Sequence, residues 1–177
     1  MSPRSGGGLF IELFLLGPSH VGVEMVKLDK TDRTILQLLQ ADGRLANTEI
    51  ASRVALSPPA CWKRLKRLEE NVIRGYHASL EPRALGLGLF AFVSILLDDH
   101  SEKAMNRFES DVMTLPSVIA CHNVSGKYDY LLQVVAADME AFHELALNKI
   151  LRRFGNIKEM YTGFSLKEIK RSTSLPL

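Results

Sequence analysis

Apolar residues recur at helical spacing through the first organised stretch of the chain and at strand-like density through the second. Between residues 28 and 42, Ile35, Leu36, Leu38 and Leu39 form a wide stripe. Asp29 stands where a helix needs an acceptor for its free N–H groups, and Gly43 stands just past the end. A second short helix is expected with Asn47 as its cap and Ile50, Ala51 and Val54 facing inward. Ala55-Leu56 then turns tightly into Ser57. From there to Glu69 the pattern predicts a third helix: Ser57 caps it, and a proline inside the first turn wastes no donor. Cys61, Leu65 and Leu68 share the face that asks for burial, while Lys63, Lys66 and Arg67 project the other way. Pro59 and Ala60 lie near the exposed N-terminal tip and Trp62 on the flank. One apolar and one basic face is what a helix entering the major groove requires. Helix, short helix, tight turn and basic capped helix is the spacing of a helix-turn-helix.

The pattern changes after Asn71. Val72–Ala78 reads as extended, and Glu81-Pro82 with Gly86-Leu87-Gly88 marks a linker. Beyond it, strand and helix signals alternate. Residues 89–98 form an apolar strand, and 102–115 an amphipathic helix with Met105, Phe108, Val112 and Leu115 inward. Residues 118–125 and 128–136 are strands joined by a hairpin turn at Gly126-Lys127. A second helix over 139–154 and a last strand over 157–169 complete a β-α-β-β-α-β order. That order predicts a ferredoxin-like unit, an antiparallel sheet with helices on one face. The chain is therefore α+β: residues 25–80 a winged-helix-like helix-turn-helix domain, 81–88 a linker, 89–177 a second, ferredoxin-like domain. The strands carry Phe90, Phe92, Val93, Ile95, Leu131 and Val134, too apolar for an uncovered face to meet water. A homodimer through that face is expected.

Composition refines this picture. Of 177 residues 46% are hydrophobic and 24% charged, enough to bury one or two modest cores. A net charge of +2 hardly suggests nucleic acid, but its distribution does. Residues 25–80 carry ten Lys/Arg against six Asp/Glu, a net +4, whereas the segments before and after are each net −1. Cys61 and Cys121 read as buried free thiols of a reducing cytoplasm, and the five histidines show no metal spacing, so no metal or cofactor is expected. Residues 1–24 are organised differently: Gly6-Gly7-Gly8 precedes an apolar run from Leu9 to Leu16, interrupted by Glu12 and closed by Gly17-Pro18. The run is too short to span a bilayer and lacks the cleavage site of a secretory signal. Patterning begins at once after Met25, which is read as the natural start, with 1–24 a non-native or disordered leader. No membrane association is expected.

Several words in this order resemble the Lrp/AsnC family, the feast/famine regulators, from about Leu28 to the C-terminus. They are Leu28-Asp29 with Asp32 and Ile35-Leu36, Asp42-Gly43-Arg44, the block Leu56-Ser57-Pro58 through Arg67-Leu68-Glu69, and Gly75-Tyr76. Val124-Ser125-Gly126 belongs with them, and Gly126-Lys127-Tyr128-Asp129-Tyr130-Leu131-Leu132 fits the family's G-x-x-D-Y-x-L signature. Leu166–Lys170 with Ser174-Leu175-Pro176-Leu177 looks like the leucine-responsive branch. The resemblance implies a cytoplasmic transcription regulator that binds double-stranded DNA. It further implies dimers assembling to tetramers or octamers, and a small molecule, usually an amino acid, that alters assembly or DNA affinity. Three departures stand out: Asn71-Val72 in place of a glycine-containing turn, Trp62 at a position more often small or aliphatic, and Gly163 where the leucine-responsive prototype has tyrosine. Neither base preference nor leucine itself is carried over.

For DNA, Lys66 and Arg67 are expected on phosphates, with Ser57, Pro59, Trp62 and Lys63 nearest the base edges. For the effector, the hairpin supplies backbone groups for a carboxylate and an ammonium, and Asp129 either answers the ammonium or caps the hairpin. Ser125, Gly126, Tyr128, Tyr130 and Thr162 complete the expected site, with His122 as a further neighbour. A rival reading is a sirohaem-decarboxylase-like enzyme on the same two-domain layout, for which His122 and Arg107 are available. No nucleophile–base pair, phosphate-binding loop or paired-carboxylate signature appears, so the chain is expected not to be an enzyme.

Overall fold

The computed structural model describes residues 26–151, 154–170 and 174–177. The reading of residues 1–24 lies outside them. The described residues divide into two compact units that meet in sequence at His77/Ala78.

The first unit is helical, with α1 (Lys30–Ala41), α2 (Asn47–Arg53) and α3 (Pro58–Asn71). α1 begins with a reciprocal cap: Asp32 N–H donates to the Asp29 carboxylate at 2.8 Å, and Asp29 N–H donates back to Asp32 at 3.1 Å. The expected cap of α2 is corrected by one residue. Ala46 occupies the N-cap, and Asn47 is the first helical residue, its side-chain amide donating to Pro58 O at 2.9 Å. Asn47 therefore ties α2 to the start of α3. The turn between them places Ala55 in the left-handed region at φ 53°, the one non-glycine residue at positive φ among the described residues. Ser57 caps α3 through Ala60 N–H. Ile35, Leu36, Ile50, Ala51, Cys61 and Leu68 form the core, with Leu65 partly buried against it.

The second unit opens with a short 3-10 turn, Pro82–Leu85, ended by Gly86 at φ 76°. Four strands follow, β1 (Leu89–Leu97), β2 (Val118–Asn123), β3 (Tyr130–Ala136) and β4 (Ile157–Phe164), all paired antiparallel in the order β2-β3-β1-β4. Helix α4 (Glu102–Val112) joins β1 to β2, and α5 (Met139–Glu144) follows β3. The topology is the predicted βαββαβ one. Three details depart from expectation. The second helix is α-helical only to Glu144 and continues as a π-helical stretch over Leu145–Leu151. Hydrophobic periodicity cannot separate i→i+4 from i→i+5 bonding over so few turns. β2 and β3 are joined by residues 124–129, closed by Val124 N–H to Asp129 O at 2.9 Å, rather than by a two-residue turn. The last strand ends at Phe164, not Ile169; Leu166 and Ile169 are exposed.

Strand alternation explains which apolar residues are covered. Ala91, Val93, Ile95 and Leu97 of β1 point to one face, with Tyr130, Leu132 and Val134 of β3, and bury Phe108, Phe142, Ile150 and Phe154 from the helical segments. Phe108 is the hub, with ring centroids 4.5 Å from Tyr130 and 4.9 Å from Phe154. The opposite face carries Phe90, Phe92, Leu131 and Tyr161 beside Ser94 and Gln133, with Phe92 and Tyr161 exposed. Val93, Ile95 and Val134 thus face the helices rather than the open side.

The closing residues group with the helical unit, although their place in the sequence suggested the second domain. Gln40 reads the backbone of Leu175 both ways: Leu175 N–H donates to Gln40 Oε1 at 2.5 Å, and Gln40 Nε2 donates to Leu175 O at 3.1 Å. Gln37 Nε2 donates to Leu177 O at 3.3 Å.

Replacing Phe108 by Ala removes a fully buried ring and leaves a cavity between sheet and helices. The expected loss is about 3–5 kcal/mol, read from urea unfolding followed by the circular dichroism of the second unit's transition.

Candidate nucleic-acid interface and effector hairpin

Helix α3 is held from one side by charge. Asp32, only 1% exposed, receives Arg64 Nη1 at 2.9 Å and Arg67 Nη2 at 2.5 Å in addition to the Asp29 N–H. Arg64 also reaches Asp29 at 2.6 Å. A carboxylate out of water is tolerated because three donors surround it, two of them guanidinium groups. The Asp32 N–H and then Arg64 hold the Asp29 carboxyl below the usual carboxylate range. Its share of stability is thus present above the ordinary carboxylate pKa and is lost as pH falls through the lowered value. The cluster fixes the rotation of α3 about its own axis.

That rotation decides what α3 shows to solvent. Trp62 is 55% exposed, and Lys63 and Lys66 are exposed beside it. Lys66 Nζ stands 5.4 Å from the centroid of the Trp62 ring, so the indole carries a cation on its face. Ser57 is engaged as the helix cap, and Pro59 is exposed one turn before Lys63. Of the six expected DNA-binding residues, Arg67 stands apart, because one guanidinium nitrogen is committed to Asp32. A groove of about 830 Å³ runs between residues 27–29 and α3, lined by Lys27, Trp62, Lys63, Arg64, Lys66 and Arg67 among others. Lys27 was not visible as a groove residue in the sequence, since it precedes the first helix and belongs to no periodic face.

The hairpin of the second unit is equally committed. Leu97 N–H donates to Asp129 Oδ2 at 2.7 Å, and His100 Nε2 lies 3.1 Å from both carboxylate oxygens. The Asp129 N–H donates to Ile95 O at 2.9 Å, and Asp129 O accepts from Val124 N–H and from Asn123 Nδ2. The Asp129 carboxylate braces the turn against the end of β1 rather than bonding the hairpin's own backbone, as the capping alternative had it. Tyr128 OH donates to Glu159 at 2.8 Å, and Lys127 Nζ donates to the same oxygen at 2.5 Å. Ser125 and Gly126 are exposed at the tip, Gly126 at φ 121°. Tyr130 turns to the helix side, 1% exposed, with its hydroxyl on Glu109 Oε1 at 2.8 Å. Burial, then Glu109, pushes its phenol far above the ordinary range. The register sets Thr162 opposite Val93, three residues along β4 from Glu159, the β4 residue that meets the hairpin. His122 is exposed on β2, and Arg107 is exposed on α4, 3.9 Å from Asp111. His100, Asn123 and Glu109 are the residues that sequence reasoning missed. Each lies outside the signature motif and enters only through the fold.

Residues 28–69 match the model of the AsnC-type helix-turn-helix domain, and residues 90–175 match that of the Lrp/AsnC ligand binding domain. The DNA-binding transcriptional activator DecR of Escherichia coli (strain K12) is 39% identical over 151 residues, covering 85% of this chain and 99% of that protein. The leucine-responsive regulatory protein of Klebsiella pneumoniae is 40% identical over 149 residues, covering 84% and 90%. Among solved structures, a transcriptional regulator of Neisseria meningitidis in complex with L-Met superposes with a TM-score of 0.80 at 43% identity, covering 85% of this chain and 97% of that one. The tetrapyrrole-enzyme reading gains nothing from these matches.

Asp32→Ala removes the reciprocal cap together with the anchor of two arginines. The helical unit should lose about 2 kcal/mol, read from thermal unfolding. Asp32→Asn, which keeps an acceptor oxygen, should lose less.

Proposed function

Because the chain belongs to the Lrp/AsnC family of transcription regulators, we propose that its DNA contacts are made by Ser57, Pro59, Trp62, Lys63, Lys66 and Arg67. The chain is a sequence-specific DNA-binding transcriptional regulator whose activity responds to a small molecule. The observation that carries the assignment of residues is the division of labour on α3. Arg64 and Arg67 reach across to Asp32, Arg67 with its side chain still half exposed, and Trp62, Lys63 and Lys66 point outward. Lys63 and Lys66 bring positive charge to the duplex, and Trp62 offers a large apolar surface at groove depth. Arg67 keeps a second guanidinium nitrogen for a phosphate while Asp32 orients the first.

The effector is an amino acid, a reading supported by the ligand-bound Neisseria relative, whose bound molecule is L-Met. Its site is the hairpin around Ser125, Gly126, Tyr128, Asp129 and Tyr130. In this reading Asp129 acts by bracing the hairpin, so that the turn keeps its shape when a ligand arrives. The open sheet face, with Phe92 and Tyr161 exposed, is covered by a second copy of the chain, and dimers assemble further to tetramers or octamers. Two recognition helices are thereby presented to one duplex, as two-fold half-sites require. The protein works in the cytoplasm, on chromosomal DNA. No helix among the described residues is long and apolar enough to cross a membrane.

Lys66→Ala should weaken binding to every duplex alike and reduce the slope of log K against log salt by about one. Fluorescence anisotropy over a salt series, with the chain's own upstream region and an unrelated duplex, reads this. A change in sequence preference with an unaltered slope would move Lys66 from phosphate to base.

Asp129→Ala should abolish the effect of amino acids on DNA affinity while DNA binding itself survives. An unchanged effector response in the same anisotropy assay would remove Asp129 from the effector site.

A further inference from the structure

The chain crosses between the two units twice, once at His77/Ala78 and again between Lys170 and Ser174, so that Ser174–Leu177 belong to the helical unit. None of the residues assigned to DNA or to the effector accounts for this return. The contact that holds it is directed at backbone. Leu175 N–H donates to Gln40 Oε1 at 2.5 Å, and Gln40 Nε2 donates to Leu175 O at 3.1 Å. One side-chain amide thus pairs with both groups of a single residue, as two residues of neighbouring strands do. One turn earlier on α1, Gln37 Nε2 donates to Leu177 O at 3.3 Å.

The sequence of the segment suits this use. Pro176 biases the residue before it towards extended backbone, which turns the N–H and C=O of Leu175 to one side. Pro176 itself has no N–H to leave unpaired. Leu175 is 71% exposed, so its side chain adds little burial and the contact can open and close. Its place on α1 matters as much. Gln37 and Gln40 lie five and eight residues past Asp32, about 8 and 12 Å along the helix axis. Neither they nor Leu175 and Leu177 line the groove along α3. The docked segment therefore holds the helical unit without covering Trp62, Lys63 or Lys66.

We propose that the face of α1 carrying Gln37 and Gln40 is a receptor for the chain's own Ser174–Leu177 segment, and that the docked segment is a second tether on the DNA-binding unit. A unit fastened by one linker keeps many orientations and loses them on meeting a duplex. Fastened at two points, it has fewer to lose, so the docked state binds DNA more tightly than the undocked one. By linkage, DNA favours the docked state by the same factor.

The test compares the full chain with Gln40→Ala, with a chain lacking Ser174–Leu177, and with the two changes combined. Ile35 and Leu36 carry the core side of α1, so the helical circular dichroism should stay as in wild type. Affinity is read by anisotropy on a labelled duplex of about 30 base pairs at low salt, where binding needs no particular sequence. Each single change should raise Kd about threefold or more. The combination should raise it no further, because both changes break one contact. Amide exchange of Leu175 gives a readout that a general loss of stability would not mimic. Gln40 protects this amide in the full chain, Gln40→Ala should open it, and added duplex should raise its protection by the factor that the variants lose in affinity. Unchanged or tighter DNA binding by the single variants, losses that add, or a Leu175 amide as open in the full chain as in Gln40→Ala would each overturn the inference. The regulator reading stands in all of these cases.

Discussion

Much of the helical unit depends on one carboxylate out of water. Asp32 sits at the third position of α1, where it completes a cap, and it takes two arginines from α3. The ordinary function of a cap is to satisfy N–H groups at a helix end. Here the same group also fixes a second helix 32 and 35 residues further along the chain. Removing water from a carboxylate is unfavourable, and only the dense set of donors makes it tolerable. In return the recognition helix is fixed in rotation by electrostatics on one side and by Cys61 and Leu68 on the other. Apolar packing alone resists rotation weakly, since a stripe of similar side chains can slip; two directed guanidinium contacts cannot be satisfied in another register.

The same economy appears at the sheet's end. Asp129 gathers a backbone N–H from β1, the His100 ring and, through its own backbone, both ends of the connecting loop. A turn tied at so many points keeps one shape, because no single one of these hydrogen bonds carries it alone.

How far the sequence foretold this differs by level. The order of elements was legible because each helix carries its own cap and stripe and each strand its own density of branched and aromatic residues. The basic face of α3 was legible too, from the spacing of Lys63 and Lys66. What escaped are contacts made over distance. Asp32 looked like part of a family word, and nothing local marks it as the partner of Arg64 and Arg67. Glu109 and Tyr130 are 21 residues apart and meet only because α4 lies across β3. The π-helical stretch after Glu144 was invisible for another reason: the apolar positions that suit it also suit an α-helix. Thr162 was expected as a neighbour of the hairpin, and the register of β4 sets it opposite Val93, while Glu159 of the same strand is the residue that bonds the hairpin.

One small feature constrains how this sequence can drift. Ala55 makes the turn between α2 and α3 in a left-handed conformation that costs an L-residue with a Cβ about 1–2 kcal/mol. The turn cannot be relaxed without changing the angle at which α3 leaves α2. Substitution at this position is thereby channelled: glycine, asparagine or aspartate relieve the strain, whereas any residue branched at Cβ deepens it. A lineage carrying alanine here has a reserve of stability one codon away, and a neighbourhood of neutral change much narrower than the position's surface location would suggest.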